Sequence, residues 1–139
     1  MLLYLAARSE NIEYLKKYYK KKIILLDRFT DSTIAYQHFG MGVNLEILNK
    51  VNNHLLKSFK VDFTFLNTVS EKNMKKRLKE RKKLNRYDKF EKKFYHRVQK
   101  GFIKISKNKK NYKIINSNYP IEKNKKDIID KIEALIKWI

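Results

Sequence analysis

An α/β fold built on a parallel sheet is the class this sequence predicts, and three observations carry it. Stretches with apolar residues at helical spacing alternate with short strand-like runs. One of those runs, "IILL" (23–26), is unbroken and apolar, the pattern of a strand covered on both faces. The chain has 139 residues, no internal repeat and no Pro/Gly-rich linker, which suits a single domain spanning 1–139.

Each element follows from its own pattern. Leu2, Leu5, Ile12 and Leu15 share a helical face, so residues 1 to 20 read as an amphipathic helix. "IILL" is the first strand. Asn44 can cap a helix whose Leu45, Leu48, Val51 and Leu55 lie together. "VDFTFL" (61–66) is the second strand, and residues 70–83 form a strongly basic helix opened by Ser70. Phe90, Phe94, Val98, Phe102 and Ile105 mark the buried face of the next helix. "YKII" (112–115) is the third strand. The only proline, Pro120, precedes a C-terminal helix carrying Ile128, Ile129, Ile132, Leu135 and Ile136.

Composition narrows the function classes. The apolar share is 42% and the aromatic share 13%, enough for a core and against disorder. With no cysteine there are no disulfides and no thiolate metal sites, which fits a cytoplasmic setting. No run approaches the roughly 20 apolar residues of a membrane span, so no membrane partner is expected. The formal charge is +20. It comes mainly from lysine, with six arginines, in a chain also rich in Asn, Ile, Tyr and Phe. That is the signature of A/T-rich coding, and a nucleic-acid partner is not expected from it. His38, His54 and His96 are scattered without metal-ligand spacing.

The segment after "IILL" is less easily explained as a connection. "DRFTDSTIAYQ" places Asp27 and Arg28 at a strand end, then Ser32, Thr33, Tyr36 and Gln37 within the next turns. In open α/β sheets ligands sit beyond the carboxyl ends of the strands, so these residues suit a small polar anion. Arg8, four residues after Tyr4, shares its helical face.

"LYLAAR", "LLDRFTDSTIAYQ", "VDFTFL" and "LNRYDKFEKKFYHRVQKGF" follow one another in the order and spacing of bacterial thymidylate kinases, which this chain resembles from Leu2 to Pro120. The resemblance implies a P-loop nucleoside monophosphate kinase fold. It also implies transfer of the γ-phosphate of ATP to dTMP, with Mg²⁺, in dTTP synthesis. Tyr4 matches the aromatic that stacks on thymine and Arg8 the arginine that donates to the base. Arg28 matches the arginine that grips the dTMP phosphate and the transferring group. Asp27 matches the acid near metal and phosphates, where any contact with the metal is indirect. Ser32, Thr33, Tyr36 and Gln37 match the patch that reads base and sugar. Residues 70–90 match the lid, with Arg77, Arg81 and Arg86 as candidates to close over ATP; Arg81 and Arg86, with Arg28, are the catalytic candidates. The complete protein is expected to be a homodimer.

There are departures. Thr68 stands where the family's strand motif has Asp, Val61 where it has Pro, and Tyr4 replaces Phe. The only glycines are Gly40, Gly42 and Gly101, and none belongs to a G-x-x-x-x-G-K-[ST] loop. The family's opening strand, phosphate loop, helix and second strand are therefore expected to be missing, which would leave a gap in the sheet or exposed apolar faces. Three readings remain open. The first is a thymidylate kinase chain lacking its first part and poorly active alone. The second is a catalytically degenerate nucleotide-binding module. The third is a basic nucleic-acid-binding protein.

Overall fold

The computed structural model describes residues 2–19, 21–57, 59–81 and 91–137. Its elements, in order, are α1 (Leu2–Lys16), α2 (Thr30–Thr33), a π-helix (Ile34–Gly40), α3 (Leu45–Leu56), β1 (Thr64–Thr68), α4 (Glu71–Lys79), α5 (Lys92–Ser106), β2 (Tyr112–Asn116) and α6 (Ile121–Ile136). They gather into two compact units, Met1–Asp62 with Lys92–Lys107 and Phe63–Glu91 with Asn108–Ile139. Among the described residues no helix is long and apolar enough to cross a membrane.

The first unit is helical. Leu5, Ile12 and Leu15 of α1 are buried, as their spacing predicts, but Leu2 is exposed. Helix α1 ends at Lys16, short of the expected Lys20. The N–H groups of Lys17, Tyr18 and Lys21 bond three residues back, to Tyr14, Leu15 and Tyr18, so the chain tightens out of the α form. The like charges of Lys20, Lys21 and Lys22 add repulsion there. Asn44 caps α3, its Oδ1 accepting from Ile47 N at 3.1 Å. Leu48 of α3 is fully buried, and beside it on the same face Asn52 is buried too.

Helix α5 packs on the π-helix, and two glycines set the approach. A Cβ on Gly40 would lie 2.6 Å from Phe94 Cε2, and one on Gly101 would lie 2.6 Å from Phe39 Cγ. Phe94 and Val98 are buried in this contact, and Tyr36 meets Phe94 and Phe102 edge-on at 6.0 and 6.2 Å. Phe90, expected on the same stripe, lies outside the described residues.

The second unit holds a two-stranded parallel sheet, β1 beside β2, with Thr64 opposite Tyr112 and Thr68 opposite Asn116. Ser70 caps α4 by accepting from Asn73 N. Helix α4 stops at Lys79 instead of reaching residue 83. After Leu78 the sequence runs Lys-Glu-Arg-Lys-Lys, with no apolar side chain to bury, so packing does not carry the helix further. In α6 none of the residues is buried; Ile129 and Ile136 remain exposed.

One predicted strand is not formed. Residues 23–26 have no ladder partner among the described residues, and Ile23, Leu25 and Leu26 are exposed, Leu25 to 79%. A strand is defined by its neighbour, and an apolar run supplies only the side chains for one. Ile23, Leu25 and Leu26 thus leave an apolar run open at the surface.

Candidate functional site

The polar segment after Leu26 is built as a bend and two short helices. The chain turns at Asp27 and Arg28, and Arg28 takes φ = 60°, a left-handed conformation unusual for a residue with a Cβ. Such backbone strain concentrates at functional sites. Ser32 N then bonds to Phe29 O at 3.0 Å, and α2 passes into the π-helix. The π form is rare and frequently marks functional positions.

The far end of the π-helix is held firmly. Gly42 N bonds to His38 O and Val43 N to Gln37 O. His38 Nδ1 donates to Val43 O at 2.8 Å, which puts its proton on Nδ1. Arg97 donates to Gly40 O from Nε at 3.3 Å and from Nη2 at 2.8 Å. The open carbonyl of Gly40 at the helix terminus is thus satisfied by a side chain from α5, and His38 ties the π-helix to the segment that follows it.

The first unit holds two arginines braced by aromatic rings. The Arg28 guanidinium lies over the Tyr36 ring at 5.3 Å, with the side chain exposed. The Arg8 guanidinium lies over the Phe29 ring at 5.2 Å. Its Nη1 is buried and has no hydrogen-bond partner among the described residues. Burial lowers the Arg8 pKa from its ordinary value, and the Asp31 carboxylate acts in the opposite direction. A buried donor without an acceptor costs about 1–3 kcal/mol, which a ligand carbonyl oxygen would recover.

The other predicted residues divide by burial. Tyr4 is half exposed on α1, Asp27 is exposed, and Ser32 and Tyr36 are partly buried. Thr33 and Gln37 are buried at 3% and 5% exposure, behind the accessible surface. Asp27 and Arg28 follow an unpaired segment, so the expected position beyond a strand end is not formed. Phe29 and Asp31, which shape the Arg8 environment, were not singled out by the sequence motif. Their part depends on a cation–ring contact and a through-space charge, neither of which spacing reveals.

In the second unit Arg77 is exposed and its Nη2 donates to Ser117 O at 2.6 Å, tying α4 to the end of β2. Arg81 is exposed and lies beyond the end of α4, a correction to its expected place on that helix. Arg86 and the rest of the expected lid from residue 82 to 90 lie outside the described residues. Thr68 Oγ1 donates to Ile115 O at 3.4 Å, so a strand-to-strand contact occupies the position of the expected Asp. Among the described residues no group of three His, Cys, Asp or Glu could hold a metal.

Comparison with known proteins places the chain in a family. The family model described as thymidylate kinase matches residues 1–128. The chain is 34% identical to the thymidylate kinase of Trichodesmium erythraeum over 99% of its own length and 63% of that relative. It is 35% identical to the thymidylate kinase of Mesoplasma florum, over 95% of this chain and 66% of that one. The crystal structure of thymidylate kinase from Ehrlichia chaffeensis superposes with a TM-score of 0.70 at 27% identity, covering 95% of this chain and 62% of that one. The chain therefore spans less than two thirds of the length of these relatives.

Proposed function

The chain belongs to the thymidylate kinase family, and on that premise we propose that its first unit binds dTMP as the phosphoryl acceptor from ATP. The observation that carries this reading is Arg8, whose ring-braced guanidinium holds a buried Nη1 with no acceptor among the described residues. Its Nη1 suits a base carbonyl, and Tyr4, one helical turn away, supplies a stacking face. Arg28 presents an always-charged planar fork to the monophosphate, held in direction by Tyr36. Ser32 adds a hydroxyl for the sugar, while Thr33 and Gln37 support the segment from within. Arg77, Arg81 and Arg86 are assigned to a lid over residues 70–90 by the same kinship.

The residues present do not fit the ATP·Mg²⁺ end of the reaction. No stretch of the sequence supplies the ring of backbone N–H donors and the Lys of a phosphate loop. Asp27 alone is no metal centre. These 139 residues are proposed to bind dTMP and to transfer phosphate poorly on their own. A homodimer and a cytoplasmic setting belong to the same proposal by kinship.

Isothermal titration of the 139-residue protein with dTMP tests it. Arg8→Met removes a charged donor worth about 1.5–3 kcal/mol, so the Kd should rise by roughly ten- to a hundredfold with the fold intact. Absence of dTMP binding, or an unchanged Kd in Arg8→Met, removes the reading.

A further inference from the structure

Helix α5 carries a feature that dTMP recognition does not use. Lys93, Arg97, Lys100 and Lys104 recur at alternating spacings of four and three, and Lys107 continues the series one residue past the helix. All five are exposed and lie on one face, a stripe about 21 Å long at 1.5 Å per residue. The helix contains no acidic residue, and the carboxylates paired with Lys16, Lys50 and Lys75 belong to other helices. Arg97 and Lys104 are pinned, the first to Gly40 O and the second over the Phe39 ring at 5.7 Å. The stripe is thus a row of cations, two of them held in place, with a mean spacing of about 5 Å.

We propose that this face of α5 binds the phosphate backbone of a nucleic-acid strand. Five like charges in line repel one another, and a linear polyanion relieves that repulsion while releasing its own counterions. The bulk charge of the chain did not imply such a partner; the alignment on one helix does. An anionic membrane is the competing partner and fits less well. A membrane-surface helix needs a free apolar face, whereas Phe94, Val98 and Gly101 of α5 are buried against the protein.

The test is fluorescence anisotropy with a labelled single-stranded oligonucleotide, across a salt series and in excess dTMP to occupy the mononucleotide site. Two triple variants are compared, each lowering the formal charge by three. One is K93Q/K100Q/K107Q on α5; the other is K123Q/K125Q/K126Q on α6. At about 0.7 of salt slope per neutralised phosphate, the α5 variant should flatten the slope by about 2 and weaken low-salt binding at least about tenfold. The α6 variant should stay close to the parent. Equal losses in both would show attraction by net charge alone and overturn the proposal. So would no oligonucleotide binding by the parent, or binding to phosphatidylserine vesicles in its place.

Discussion

Gly101→Ala probes the contact that holds the Arg28–Tyr36 segment. The new methyl carbon would lie 2.6 Å from both Cγ and Cδ2 of Phe39 and 2.8 Å from its Cβ. These atoms are near the Phe39 backbone, so no rotation of the ring about its far bonds clears them. An ordinary contact needs about 3.5–4 Å, so α5 and the π-helix must separate by about 1 Å or Phe39 must leave its rotamer. Overpacking of this kind costs about 1–3 kcal/mol. The gain in helix propensity from Gly to Ala returns at most about 1 kcal/mol, so the net effect is destabilising. Urea denaturation followed by circular dichroism should show a lower midpoint with an unchanged slope. Because the same contact positions Tyr36 beneath Arg28, affinity for dTMP should fall as well. Adding Phe39→Ala should recover part of the loss, so the pair should be clearly non-additive. A stability equal to or above the parent would refute the argument that the two helices touch at Gly101.

The remaining predictions concern single positions. Asn52→Leu replaces a buried amide whose Oδ1 and Nδ2 lack partners among the described residues, and should raise stability by about 1 kcal/mol in the same denaturation assay. Asn44→Ala removes the cap on Ile47 N and should cost about 1 kcal/mol. The Glu13 carboxyl is held below its ordinary pKa by its hydrogen bond from Lys16 at 2.6 Å. Because the folded value is the lower one, the contribution is present above the ordinary carboxylate range and is lost as pH falls through the depressed value. A carboxyl-carbon NMR titration should place the Glu13 midpoint below the ordinary glutamate value, and Lys16→Met should move it up.

Local rules made much of this fold legible. The α3 and α4 starts were readable because Asn44 and Ser70 bond to their own neighbours, and β2 because "YKII" finds β1. The segment 23–26 was misread because strand formation depends on a partner elsewhere in space. The ends of α1 and α4 were placed too late because helical period persists in a Lys-rich run that has nothing to pack against. The motif "DRFTDSTIAYQ" marked the candidate site, yet it gave no warning that Thr33 and Gln37 are buried. It also hid the π-helix, whose wider turn leaves no period in seven residues. Arg97 lay in plain view within "FYHRVQKGF", but its bonds to Gly40 O join positions 57 residues apart, beyond any local pattern.

The most direct test of the nucleotide-site account is an NMR titration of the ¹⁵N-labelled protein with dTMP, following the arginine Nε–H signals. Arg8 and Arg28 should shift together and saturably, with Tyr4 and Ser32 amides, while Arg77 stays in place. Shifts confined to the lysine-rich surface, or none at Arg8, would contradict the claim that this segment is a dTMP site.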